Sequence, residues 1–259
     1  MTYKKSPSWE LFCFYVVNQQ DTSKLRGTCF CVYLWVGKIN NIMRFFIDTA
    51  NLEQIRQARD LGILDGVTTN PSLMARENIR GHAAIMAHYR QICEMVDGDV
   101  SAEVFSTDLE GMLAEAHELS AIHKNIVVKV PCTVEGIKAI KALSARKIPT
   151  NCTLVFNAGQ AILAAKAGAR YVSPFVGRLD DVSEDGVALV AQIVRIFDNY
   201  GYQTQVLAAS ICHTRHIIDC MEAGAHVVTC PLQPILGLLN HPLTDKGLAK
   251  FLEDAAKMK

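Results

Sequence analysis

The chain has 259 residues, half of them hydrophobic and a fifth charged, which suits one large globular domain or two small ones. Lysine plus arginine and aspartate plus glutamate are equal at 26 each. Zero net charge gives no electrostatic reason to expect nucleic acid or an anionic membrane as a partner, so any phosphate recognition must be local.

Residues 1–42 differ from the rest. They hold both tryptophans, Trp9 and Trp35, and the apolar runs LFCFYVV and CFCVYLWV. Neither run approaches the roughly 18 residues of a membrane span. Lys4 and Lys5 precede an apolar run, yet no A-x-A cleavage site follows. We read 1–42 as an N-terminal extension, upstream of a natural start at Met43, and 43–259 as the functional unit.

From Met43 onward, short apolar runs alternate with amphipathic stretches. The runs are MRFFIDT, DGVTTN, VSAEVFS, IVVKVP, TNCTLVF, ARYVSPFV, TQVLAAS and AHVVTCPL. Between most of them apolar residues recur at three- and four-residue spacing, as in LEQIRQARDLG, DLEGMLAEAHELSAIH, EGIKAIKALSARK and GQAILAAKAG. Gly62, Gly168 and Gly224 sit where helices should stop. DKGLAKFLEDAAKMK adds a helix after the last run. Repeated strand–helix units imply a parallel sheet with right-handed crossovers, and eight of them predict a single-domain (β/α)8 TIM barrel with an extra C-terminal helix. A doubly wound open sheet is the alternative; no G-x-G-x-x-G or P-loop follows the first strand. The nine cysteines include no CxxC pair, and several lie in apolar runs, which reads as free thiols in a reducing cytoplasm.

A barrel keeps its chemistry at the C-terminal ends of its strands. Few polar residues are trapped in the apolar runs: Asp48, Thr68 to Asn70, Glu103, Lys129, Asn151 with Thr153, Ser173 with Arg178, and Ser210. A closed barrel would bring them together; an open sheet would not. Lys129 is the odd one, a cation inside IVVKVP. Burial disfavours the charged form of an amine, and a neutral amine can attack a carbonyl to form a Schiff base, an electron sink for breaking the adjacent carbon–carbon bond. Glu103 could move protons as the imine forms and hydrolyses, through water, and Asp48 could take a proton from a substrate hydroxyl. Asn70 and Asn151 can hold small hydroxyls, and Thr153 can orient a water. Blander readings exist: a snorkelling lysine at a strand end, Asp48 as a helix cap, TTNPS as a turn, Phe175 as plain core. CHTRH carries metal-type residues without a matching carboxylate or zinc spacing, so we expect no metal.

FIDTA, GVTTNPSL, AEV, IVVKVPCTVEGIKAIKAL, PTNCTLVFNAGQA and AGARYVSPFVGRLDD resemble the transaldolases, and within them the short subfamily that includes fructose-6-phosphate aldolases. The resemblance runs from about Met43 to Lys259. It implies Lys129 as the Schiff-base lysine, Asp48 and Glu103 as the acid/base pair, and Thr153 as the partner of the water. It implies Asn70, Asn151 and Ser173 around a dihydroxyacetone unit, and Arg178 and Ser210 on the substrate phosphate. Related aldolases carry glutamine in place of Glu103 and tyrosine in place of Phe175, so these residues point to a transaldolase. The chain departs at Cys212, where relatives place a lysine or arginine for the phosphate; His213 and Arg215 are the candidates to compensate. The resemblance further implies sugar phosphates as substrates, no cofactor, and a homo-oligomer, a pentamer or decamer. An aldolase releasing free dihydroxyacetone and a non-catalytic sugar-phosphate-binding barrel are the alternatives.

Overall fold

The structure, a computed structural model, describes residues 10–14, 30–34 and 42–258. The chain divides into two units, Met1–Ile42 and Met43–Lys259. In the first, β1 (Glu10–Phe14) and β2 (Phe30–Leu34) pair antiparallel, Glu10 opposite Leu34. These strands overlap the two apolar runs of the extension, β1 beginning one residue before the first. Trp9 and Trp35 lie outside the described residues.

The second unit is built on β3 (Arg44–Asp48), β4 (Gly66–Thr68), β5 (Asp99–Glu103), β6 (Ile126–Pro131), β7 (Thr150–Val155), β8 (Tyr171–Pro174), β9 (Gln205–Ala208) and β10 (Val227–Cys230). They close into an eight-stranded barrel in the order β10-β3-β4-β5-β6-β7-β8-β9, every pairing parallel. The open-sheet alternative is excluded. The helices α1 (Leu52–Asp60), α2 (Pro71–Arg76), α3 (His82–Met95), α4 (Leu109–Ser120), α5 (Val134–Ala145) and α6 (Ala158–Ala167) come in the first part of the unit. They are followed by α7 (Val176–Asp180), α8 (Gly186–Tyr200), α9 (Thr214–Glu222), α10 (Leu232–Gly237) and α11 (Pro242–Lys257). Gly62, Gly168 and Gly224 all take positive φ, the left-handed turn that ends a helix at little cost for glycine.

The strand sequences explain how the barrel is filled. Side chains alternate between its interior and the surrounding helices. The lower interior layer is Phe46, Val127, Tyr171, Leu207 and Val227, all buried together. Two residues further along the same strands, the next inward positions hold Asp48, Lys129, Ser173, Ala209 and Thr229. An apolar plug thus lies under a polar layer at the C-terminal mouth. The intervening residues, Ile47, Val128 and Val130, Val172 and Val228, belong to the larger core between barrel and helices.

Helix α11 stands apart. None of its residues is buried, and Leu243, Leu248, Phe251 and Leu252 are exposed. Among the described residues no helix is long and apolar enough to cross a membrane.

Candidate active site

Two adjoining hollows of about 390 and 170 Å³ open at the C-terminal mouth. Asp48, Asn70, Lys129, Phe175 and Arg178 line both. Glu103 and Thr153 face the larger, Ser173 and Ser210 the smaller. A more open hollow of about 670 Å³ lies beyond Arg178, along Phe156, Asn157 and Asp181, and holds no other predicted site residue.

Lys129 is 6 % exposed, as its place in the middle of β6 requires. Its Nζ lies 3.1 Å from Glu103 Oε2 and donates to the Thr69 carbonyl at 3.2 Å. Register explains the first contact, because Glu103 on β5 pairs directly with Lys129. Thr69 is fixed in turn: its hydroxyl lies 3.0 Å from the Tyr89 hydroxyl and 2.9 Å from the Ser101 carbonyl. Burial pushes the Tyr89 phenol up to about 12, so at neutral pH it stays a neutral hydroxyl.

Asp48 accepts a hydrogen bond from Thr68 Oγ1 at 2.7 Å, and Thr68 also meets Thr229 Oγ1 at 2.6 Å. Desolvation holds the Asp48 carboxyl above its ordinary value; the charge of Lys129, the Thr68 hydroxyl and the charge of Arg76 oppose the rise in that order. Asp48 is not a helix cap. Asn51 caps α1, accepting from Gln54 N. Asn70, in contrast, does cap: it accepts from Leu73 N at 2.9 Å with Pro71 at the first helical position, so TTNPS is both a helix start and a wall of the site.

Asn151 is fully buried and lies behind the wall of both hollows. Its Nδ2 donates to Ser101 Oγ at 3.2 Å and its Oδ1 accepts from Ser173 Oγ at 2.7 Å, so it orients Ser173. The Thr153 hydroxyl is buried without a hydrogen-bond partner among the described residues. A register shift between Cys152 and Val155 follows it, where Leu154 takes φ +58° and turns into the wall of the larger hollow. Phe175 lines both hollows and packs edge-on against Phe156 at 5.6 Å, so it serves as core and as site wall.

The residues expected to hold a phosphate are arranged differently from expectation. Gly177 N donates to Ser210 O at 2.9 Å, an approach so close that a Cβ on Gly177 would lie 2.5 Å from that oxygen. This locks the first turn of α7, which carries Arg178, onto the Ser210 loop. Neither proposed compensator reaches the hollows. Arg215 pairs with Asp219 at 2.7 Å, and His213 caps α9 by accepting from His216 N. Cys212 turns its thiol to Ser210 O at 3.6 Å, and His216 pairs with Asp180 at 2.8 Å. Among the described residues no group of three or more His, Cys, Asp or Glu is placed to hold a metal.

Sequence reasoning missed several wall residues. Thr229 was legible in principle, two positions beyond Val227 on an inward face. Arg76 and Leu154 gave no signal, one lying on a helix after the strand and the other turned by a backbone irregularity.

Residues 45–259 match the family model for transaldolase/fructose-6-phosphate aldolase. A "Probable transaldolase" from Porphyromonas gingivalis is 68% identical over 212 residues, 82% of this chain and 96% of that protein. Proteins of the same description from Parabacteroides distasonis and Bacteroides fragilis are 67% identical over 216 residues, 83% of this chain and 99% of each of theirs. A crystal structure described as that of "a putative fructose-1,6-biphosphate aldolase from Coccidioides immitis" superposes with a TM-score of 0.53 at 11% identity, covering 74% of this chain and 77% of that one; it bears on the fold alone. By sequence match over most of its length, the chain belongs to the transaldolase/fructose-6-phosphate aldolase family.

Proposed function

We propose that the protein is a transaldolase that carries dihydroxyacetone from a ketose phosphate, such as sedoheptulose 7-phosphate or fructose 6-phosphate, to an aldose phosphate through a Schiff base on Lys129. The observation that carries this reading is the buried Lys129 amine, held by Glu103 and the Thr69 carbonyl and facing the hollow it shares with Asp48. Two contacts fix the amine while a third direction stays open to a substrate carbonyl, which is the positioning a nucleophile needs.

Lys129 attacks the ketose C2 carbonyl. Glu103, in contact with Nζ, shuttles protons as the carbinolamine loses water, and the free Thr153 hydroxyl can donate to or accept from that water. Asp48 then takes the proton of the C4 hydroxyl as the C3–C4 bond breaks and its electrons move into the iminium. A carboxyl held above its ordinary value is the better base for this step near neutral pH. Asn70 and Ser173 hold the three-carbon hydroxyls, with Asn151 orienting Ser173, and Arg178 and Ser210 hold the phosphate. Phe175 offers the enamine no proton and limits water, so the unit waits for an aldehyde.

Borohydride with fructose 6-phosphate should leave a stable adduct on the peptide containing Lys129, and Lys129→Arg should abolish it, because a guanidinium stays protonated. An adduct on another lysine, such as Lys138 or Lys141, would refute the assignment.

The same reading places the enzyme in the cytoplasm, in the non-oxidative pentose phosphate pathway, and in a homo-oligomer. The exposed apolar face of α11 supports the oligomer, since water-facing Leu248, Phe251 and Leu252 on one amphipathic helix favour burial against another subunit. Sedimentation of Phe251→Asp/Leu252→Asp against the unaltered chain tests it: an unchanged mass excludes α11 as a subunit contact.

A further inference from the structure

The larger hollow contains a cation that the proposed reaction does not use. Arg76, the last residue of α2, lines it together with Asp48, Glu103, Lys129 and Arg178. Among the described residues Arg76 forms no ion pair. The carboxylate next to it in sequence, Glu77, is engaged by Asn51 Nδ2 at 3.0 Å. The charge of Arg76 is felt at Asp48, which places it in the electrostatic field of the chamber.

Its position is set by topology. Arg76 follows β4 and Arg178 follows β8. In the closed order β10-β3-β4-β5-β6-β7-β8-β9 those strands are four apart, on opposite sides of the ring. The catalytic lysine, on β6, comes midway along one of the two arcs between them. Two arginines, carried on elements that follow strands on opposite sides of the ring, therefore line one chamber of about 390 Å³, a volume within the ordinary range for a small-molecule site. A substrate with a single phosphate occupies one of them. The other is complementary to a second anionic group at the far end of the ligand, because guanidinium matches phosphate and carboxylate oxygens in a planar, bidentate way.

We propose that Arg76 and Arg178 form a two-point anion clamp across the barrel mouth, so that the chamber binds open-chain sugars with an anionic group at each end, above all sugar bisphosphates, more tightly than monophosphates. This rests on the reading of Arg178 as the phosphate grip. The bound bisphosphate is a competitor and not a substrate. A phosphate drawn to Arg76 holds the C1 end at the rim, away from Ser173 in the smaller hollow, where the three-carbon unit must sit to react at Lys129.

Glucitol 6-phosphate and glucitol 1,6-bisphosphate test the clamp on the full chain by titration calorimetry. Neither has a carbonyl, so the measurement reads recognition without imine formation and does not depend on turnover. The bisphosphate should bind about tenfold more tightly, as one added charge-assisted contact implies. Arg76→Met should remove that advantage and leave the monophosphate affinity unchanged. Equal affinities in the unaltered protein, or an Arg76→Met variant that weakens both ligands alike, overturns the clamp. A monophosphate that fails to bind, or that binds Arg178→Met unchanged, overturns the phosphate-grip reading and the clamp with it. If binding follows the clamp but borohydride traps nothing on Lys129, the clamp stands and the transaldolase reading falls.

Discussion

The two ends of the barrel are made by the same strands and carry opposite chemistry. At the N-terminal end, Arg44 donates to the Tyr171 hydroxyl at 3.0 Å, and that hydroxyl donates to Asp99 Oδ2 at 2.6 Å. Arg170 pairs with Asp99 at 3.0 Å, and Arg44 also donates to Gln205. The Arg44 guanidinium lies 5.5 Å from the Tyr171 ring centre and 5.7 Å from that of Phe46, so it stacks on the apolar plug while its donors are used. At the C-terminal end the polar groups are only partly satisfied. Among the described residues the Thr153 hydroxyl has no hydrogen-bond partner and Arg76 and Arg178 form no ion pair, while Asp48 is held above its ordinary value; the Thr150 hydroxyl, at the start of β7, is likewise unpaired at the opposite end. A polar group completed by its neighbours adds stability; one left incomplete is available to a ligand.

The contrast can be broken by exchanging one residue at each end. The largest effect should come from Asp48→Asn, which removes the proposed base of the cleavage step and should lower kcat by about 10²–10⁴-fold. Its effect on stability should be nil or favourable. The folded-state value of Asp48 is raised, so its stabilising contribution is full below the unfolded value near 4 and is lost as pH rises through the folded value. Asparagine never ionises, so at pH 7 calorimetry should find Asp48→Asn at least as stable as the unaltered protein. A large loss of stability would mean the mouth is structural as well.

Tyr171→Phe should do the reverse. It leaves Asp99 and Arg44 each short of a partner at about 1–3 kcal/mol, measured by denaturant unfolding, with kcat unchanged. Lost activity at full stability would show that the two ends are coupled.

Phe175→Tyr should change the fate of the bound three-carbon unit. A hydroxyl there can orient water or pass a proton, so acceptor-free release of dihydroxyacetone from fructose 6-phosphate should rise and transfer to erythrose 4-phosphate should fall. If the unaltered enzyme releases dihydroxyacetone as fast as it transfers it, the protein is an aldolase.

Thr68→Val should move the pH dependence, with a loss of stability as well because Thr229 loses its hydroxyl partner. The Thr68 hydroxyl stabilises the Asp48 carboxylate, so its loss raises the Asp48 value further, and the acidic limb of kcat/KM should move to higher pH. A limb that stays put would assign it to another group. The smallest effect belongs to the extension: a chain beginning at Met43 should fold and keep its activity. Loss of soluble protein or of catalysis in that chain would make residues 1–42 structural.

Much of this was legible in the sequence because it rests on local patterns. Strand–helix alternation, with glycines at the helix stops, specified the barrel. A lysine inside IVVKVP marked the site, since a buried cation in an apolar strand needs a reason. The tertiary structure alone decided what depends on register, closure and backbone irregularity. Direct pairing of Glu103 with Lys129 follows from the alignment of β5 and β6. The placement of Asn151 behind Ser173 follows from packing depth, which period-two alternation does not encode. Arg76 lines the same hollow as Arg178 because ring closure sets β4 opposite β8; the pairing of Arg215 with Asp219, one helical turn on, was by contrast local and open to reading from the sequence. Sequence patterns report which face a side chain takes; partners across the barrel, tens of residues away in sequence, decide what it touches there.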